Sequence, residues 1–194
     1  ACLVGSEMCI RDRGSSSLAW TTTGDRNTGV GASSLNNNTT GKYNVAVGVE
    51  ALRDNTIGYR NTSVGTNSLA ESKTASNNTA IGFYSQLKNI SGGANTSLGD
   101  QSLTFNTSGS SNTSIGWGSL DQNKIGSNNT ALGYNAGTLI DSGSNNIFIG
   151  SNAGNDSSFI KANNKLVIAN SSTKTPLIYG EFDDKKVTIN GDLT

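Results

Sequence analysis

The sequence of 194 residues has no histidine, one proline, one methionine and two cysteines, and its 14 Lys/Arg balance 14 Asp/Glu. Each shortage excludes something. Without histidine there is no His-dependent catalytic triad, no His general base and no His-ligated metal. Zero net charge with no Lys/Arg run removes the electrostatic footprint of a nucleic-acid binder or a polybasic membrane anchor. No apolar run approaches the roughly 18 to 20 residues of a membrane span, so no membrane insertion is expected within this chain. The glycine-rich stretches lack the Gly-Lys-Ser/Thr phosphate cradle, and no cofactor is expected. With only 33% hydrophobic and 14% charged residues, composition alone would suggest disorder.

A repeat overrules that suggestion. Asn78-Thr79-Ala80-Ile81-Gly82 recurs with small variations every 17 residues, in copies that begin at Asn27, Asn44, Asn61, Asn78, Asn95, Asn112, Asn129 and Asn146. Such regularity marks a stacked, quasi-one-dimensional architecture. Counting Asn as slot zero, slots one and three are rich in Thr, Val, Ile and Leu, slot two is Gly, Ala or Ser until Phe148, and slot four is always Gly. This alternation reads as a short strand with one bulky and one minimal face. Slot seven is always Ala or Ser, and slot eight carries Leu35, Leu52, Leu69, Leu103 and Leu120 on a second short strand or tight turn. The fourth copy has Gln86 there, and a one-residue bulge would bring Leu87 inward instead. Gly stands three residues before the next Asn in all copies but one, which has Ala75; positive φ would explain the preference.

Stacking at about 4.8 Å places each Asn on an Asn and each Thr on a Thr, in hydrogen-bonded ladders that fix register. The expected fold is therefore all-β, a parallel β-solenoid of about eight 17-residue coils. If Gly and Ala line its interior, the Val, Ile and Leu column faces outward. Soluble monomers seldom expose so long an apolar stripe, and burial against two further copies would cover it, as in a cyclic homotrimer.

The ends differ from the middle. Both cysteines, Cys2 and Cys9, lie in residues 1–13, and Met8-Cys9-Ile10-Arg11-Asp12-Arg13 resembles a translated sequencing-library adapter. That segment is expected to be foreign, because Gly14, Ser17 and Leu18 already fit the slots of a coil whose first strand is unrecognisable. The alternative is a disulfide-stapled cap. Residues 14–154 form the repeat domain. At its far end Gly137 and Gly154 replace the slot-eight Leu, and Ile147 and Phe148 suit a coil that closes an open end. In residues 155–194, three strands near Leu166, Ile178 and Val187 read as a short β-meander, with Pro176 starting the middle one; the chain then looks interrupted.

The motif Asn-Thr-Ala-Ile-Gly-x-x-Ser/Ala-Leu, repeated at Asn78, Asn112 and Asn129, resembles the head repeat of trimeric autotransporter adhesins of the YadA type and related phage tail-fibre repeats. The resemblance spans residues 14–154. It implies a left-handed β-roll, trimerised side by side, displayed outside the cell on a bacterial outer membrane or on a virion, and attached to a host-surface protein or glycan. The 17-residue period is longer than that family's usual coil.

Three kinds of site suggest themselves. Aromatics cluster after the slot-four glycine, at Phe83, Tyr84, Trp117 and Tyr134, where their faces could take sugar rings or protein ligands. Asp54 and Glu71 share a slot in adjacent coils at roughly the carboxylate spacing of retaining glycosidases, which would suit a glycan-cleaving tail spike. Lys88 in the next coil makes that column read instead as a solvated edge, and no catalytic residue is expected. A flat Thr column can also match ice, but here Val45 and Ile147 interrupt it. The expected role is a non-catalytic adhesin or fibre head.

Overall fold

The computed structural model describes residues 11–191, with side chains from residue 14 onward. Ten strands stack in parallel and in chain order: β1 (Arg11–Arg13), β2 (Thr28–Val30), β3 (Val45–Val47), β4 (Thr62–Val64), β5 (Thr79–Ile81), β6 (Thr96–Leu98), β7 (Thr113–Ile115), β8 (Thr130–Leu132), β9 (Ile147–Ile149) and β10 (Lys165–Ile168). The pairing offset is 17 residues, Thr79 lying opposite Thr96 for example. Antiparallel β11 (Ile178–Glu181) and β12 (Lys186–Ile189) complete the sheet. The molecule is a parallel β-solenoid followed by a meander.

Strands β2 to β9 are three residues each with only the middle one inward, and from Ala46 to Phe148 that residue is fully buried. Its neighbours in slots one and three face outward. Slot-four glycines hold φ between 110° and 137°. A side chain there would be strained and would also strike a carbonyl one coil further on, that of the next slot-four glycine or, for Gly150, of Ala169.

The coil turns its remaining corners on left-handed residues that are mostly not glycine. In the coil of Asn78 these are Tyr84 at φ 57°, Gln86 at φ 50° and Ala94 at φ 57°. Each such residue costs on the order of 1 kcal/mol. The stack holds them there by directing their N–H groups along the axis: Glu50 donates to the Ala32 carbonyl at 2.8 Å and Leu52 to that of Ser68 at 3.0 Å. Slot eight is thus a turn position with a buried side chain.

The Asn ladder is continuous. The backbone N–H of Asn44 donates to Asn27 Oδ1 at 2.9 Å, that of Asn61 to Asn44 Oδ1 at 3.0 Å, and so on until Lys165 N–H reaches Asn146 Oδ1 at 3.0 Å. From Asn27 to Asn129 each side-chain amide Nδ2 donates to the carbonyl fourteen residues later, as Asn44 does to Gly58 at 2.8 Å, and Asn146 Nδ2 reaches Ala162, sixteen residues later. All eight Asn are buried. The slot-one Thr hydroxyls, by contrast, make no such ladder among the described residues. Thr39 and Thr56, twelve residues after Asn27 and Asn44, donate instead to carbonyls of the following coil at 2.8 and 2.9 Å.

A second Asn ladder runs through slot eleven, at Asn38, Asn55, Asn89, Asn106 and Asn123, all buried. Asn55 Nδ2 donates to Asn38 Oδ1 at 2.7 Å and to the Gly58 carbonyl at 3.1 Å. Here the reason for glycine in slot fourteen differs from expectation. Those glycines have no positive φ among the described residues. A Cβ on Gly58 would overlap Asn55 Oδ1 and the Ala75 carbonyl.

The third copy departs in a coordinated way. Ser72 stands in the ladder and Ala75 in the glycine slot, so the Ala Cβ occupies room that an Asn amide would need. The break leaves Asn55 Oδ1 and Ser72 Oγ buried without partners. It also deprives Asn89 of an acceptor below. Gln86 supplies one, its Oε1 accepting from Asn89 Nδ2 at 3.1 Å while its Nε2 donates to Ser97 Oγ at 2.8 Å and to the Thr79 carbonyl at 3.0 Å. Gln86 is therefore fully buried in the slot itself, and Leu87 stays half-buried outside. The expected bulge is absent because Gln86 has internal partners and no reason to leave. This polar layer divides the apolar interior into one cluster from Leu18 to Ala80 and another from Leu103 onward.

At the far end the expected closing coil is not an end. Phe148 fills the interior where Gly137 and Gly154 leave room; a Cβ on Gly137 would lie 2.8 Å from Phe148 Cδ2. Phe148 also meets Phe159 edge-on at 6.2 Å. The stack continues onto β10 with Leu166 opposite Ile147, a coil two residues longer than the rest that holds a short 3-10 turn at Ser157–Phe159. Pro176 is buried two residues before β11 and accepts from Asn190 Nδ2 at 2.7 Å. At the near end, residues 1–10 lie outside the described residues. Arg11–Arg13 continue the stack by backbone pairing with Thr28–Val30, which places no demand on side-chain identity.

Restoring the third copy tests this coupling. Ser72→Asn with Ala75→Gly should raise stability by about 1–2 kcal/mol, since a buried acceptor gains its donor, while Ser72→Asn alone should destabilise. Urea unfolding of the double-mutant cycle measures it; additive single effects contradict it.

Candidate binding surfaces

Residues just after the slot-four glycine are carried outward by the left-handed turn that follows. Trp117 and Tyr134, one coil apart, stack with ring centroids 5.2 Å apart and planes 12° from parallel. Phe83 and Tyr84 pack against each other at 3.8 Å with planes 35° apart. Asp100 holds the corresponding slot between the two pairs, and its Oδ1 accepts from the Phe83 N–H at 3.1 Å. The four aromatics therefore form two pairs separated by a carboxylate. Trp117 and Tyr134 remain about half exposed, and the Asp oxygens beside them can accept from hydroxyls.

The slot-ten carboxylates have a different character. Asp54 takes a bidentate contact from Arg53, Nη2 to Oδ2 at 2.8 Å and Nε to Oδ1 at 3.0 Å, and a third from Asn37 Nδ2 at 3.0 Å. Arg53 also reaches Glu50 at 2.6 Å. The hydrogen bond from Arg53 holds the Asp54 carboxyl below its ordinary range. A glycosidase acid must hold its proton near neutrality, and this arrangement does the reverse. Lys88, in the same column, lies over the Phe105 ring at 4.8 Å.

A third surface escaped the sequence reading. In the turns leading into Asn44 and Asn61, Thr40, Lys42, Tyr43, Ile57, Tyr59 and Arg60 line a cleft of about 210 Å³. The Arg26 guanidinium lies over the Tyr43 ring at 5.3 Å, and that of Arg60 lies 6.0 Å from Tyr43 and 5.7 Å from Tyr59. Its signal was available in Tyr43, Tyr59 and Arg60 standing where later copies carry Asn77, Ser76, Ala94 and Gly93. Among the described residues no cluster of three or more Cys, Asp or Glu is placed to hold a metal ion.

Compared with known proteins, the chain matches no family model, no curated protein and no solved structure. Its class is defined by its fold, a parallel β-solenoid of stacked repeats.

The Asp54 contacts give a pH signature. Its folded pKa lies below the unfolded value of about 4, so its contribution is present above that pH and fades as pH falls through the folded value. Asp54→Asn should cost at most about 1 kcal/mol at neutral pH, because the pair is partly solvated. Urea unfolding at descending pH should show the deficit shrinking below about pH 4; a constant deficit contradicts the assignment.

Proposed function

We propose that this chain is a non-catalytic head or stalk segment of a surface adhesin or attachment fibre that works as a homotrimer. The carrying observation is the outward aliphatic column. Val47, Ile81, Leu98 and Ile115 stand at one position of the coil, are between 36% and 46% exposed, and Val64 between the first two is partly exposed. Val45 adds to it from slot one. Each column repeats without slip from β2 to β9, so three parallel copies could lay the same stripe along a common axis and cover it coil by coil. A cyclic trimer closes through heterologous contacts between neighbours, and a stripe laid along the axis serves both contacts of each chain. The repeated Asn-Thr-Ala-Ile-Gly motif, with its likeness to trimeric autotransporter heads and phage tail-fibre repeats, supports the same reading and a place outside a bacterial cell or on a virion.

A host-surface protein or glycan is the partner this reading implies. The stacked Trp117 and Tyr134 beside Asp100 favour a sugar, because aromatic faces take the apolar side of a pyranose while a carboxylate accepts from its hydroxyls. Such a corner would equally serve a tail spike that binds glycans.

The test is the mass of the chain in solution. A trimer is expected. Leu98→Asp with Ile115→Asp should convert it to folded monomers, since two rings of like charge would be buried at the axis. A wild-type monomer, or a variant still trimeric, would sink the proposal.

A further inference from the structure

We infer that the cleft in the turns leading into Asn44 and Asn61 binds one acidic sugar residue, its carboxylate held by Arg60 and Lys42 and its ring laid against Tyr59 and Ile57. The solenoid itself gives no reason for these side chains. The same turn positions are filled by Thr74, Ser76 and Asn77 in the next copy and by Ser91, Gly93 and Ala94 in the one after. Small residues thus suffice for the corner, and the aromatic and basic groups are local additions.

The charge is also local. In a chain of zero net charge, Lys42 and Arg60 line the cleft and Arg26 lies beside it, with Asp25 pairing with Lys42 at 3.3 Å. The Arg60 guanidinium lies against the rings of Tyr43 and Tyr59. Cation–π contact occupies the face of a guanidinium and leaves its in-plane N–H donors for a planar acceptor. A carboxylate fits that fork in bidentate fashion. Arg26 Nη1 donates to the Tyr43 hydroxyl oxygen at 2.6 Å, so the Tyr43 O–H can donate in turn to a ligand.

Size and shape restrict the ligand. The cleft, at about 210 Å³, is below the roughly 300–1,000 Å³ of drug-sized sites and suits a single ring. Tyr43 has guanidinium groups near its ring from two coils, whereas among the described residues the Tyr59 ring has only that of Arg60 near it. Tyr59 and the exposed Ile57 beside it therefore offer the free apolar wall. An uronic acid unit within a saccharide combines the required carboxylate, flat apolar face and hydroxyls.

Neither the trimer nor the Trp117 corner enters this inference. The test is NMR titration of the full chain with tri-galacturonic acid, with maltotriose and inorganic sulfate as comparisons. Tri-galacturonic acid should shift the signals of Tyr43, Tyr59 and Arg60, and added salt should weaken it. Arg60→Gln should reduce affinity roughly ten-fold or more with unfolding unchanged, and Trp117→Ala should leave it intact. Equal binding of maltotriose, equal binding of sulfate as an adventitious ion only, no shifts at the cleft, or an indifferent Arg60→Gln would each overturn it. The mass of the same sample separates the two proposals: a monomer that binds refutes only the trimer, and a trimer that does not bind refutes only the cleft.

Discussion

Every coil of this protein must satisfy its backbone N–H and C=O groups against the coils on either side, at one axial spacing. The slot-zero Asn is how that constraint is met where the ribbon turns into its strand. Its Oδ1 accepts the N–H of the Asn one coil on, and its Nδ2 takes up a carbonyl fourteen residues later. Both groups would otherwise be buried and unpaired, at about 1–3 kcal/mol each. Because the same bond must form at every rung, the spacing cannot slip without orphaning a row of polar atoms. The left-handed turns depend on it in the same way: their strain persists because the rungs above and below fix the corner.

That constraint makes substitutions vertical as well as local. Ser72 cannot be understood without Ala75 in its own coil and Gln86 in the next, since the lost acceptor at one level is replaced by a side chain at another. Phe148 likewise needs glycine at positions 137 and 154. Irregular copies in such a stack are therefore compensated sets, and a single restoration toward the common pattern is expected to harm. The outward slots carry no such debt. Tyr59, Trp117 and Tyr134 are exposed and stand in slots whose residues differ from copy to copy, which is where a repeat scaffold can acquire recognition.

The strand slots were legible because a two-residue alternation repeated at constant spacing leaves little choice of face. The small residue of slot two went inward and the aliphatic of slot three outward, since the interior of a three-residue strand has room for one column. The slot-eleven Asn ladder was equally periodic, at Asn38, Asn55, Asn89, Asn106 and Asn123, but it lies in a polar turn and polar turns read as solvated. The glycines beside it were given the right identity for the wrong reason: crowding against an Asn amide and a carbonyl, not positive φ, excludes a Cβ. Gln86 is not read as buried from its letter alone, because its amide's partners, Thr79, Asn89 and Ser97, lie in its own coil and the next. At the surface, the four aromatics were visible as letters, yet Asp100 between them divides the patch, and the Arg–Tyr cleft emerges only when slots from adjacent coils are brought side by side.

The measurement that bears most directly on the ladder is scalar coupling across its hydrogen bonds. In isotope-labelled protein, the amide nitrogen of Asn78 should couple to the side-chain carbonyl carbon of Asn61, and the same should hold for Asn95 with Asn78 and Asn112 with Asn95, each pair 17 residues apart. Absence of these couplings while the strand-to-strand couplings of the parallel sheet are observed would contradict the account.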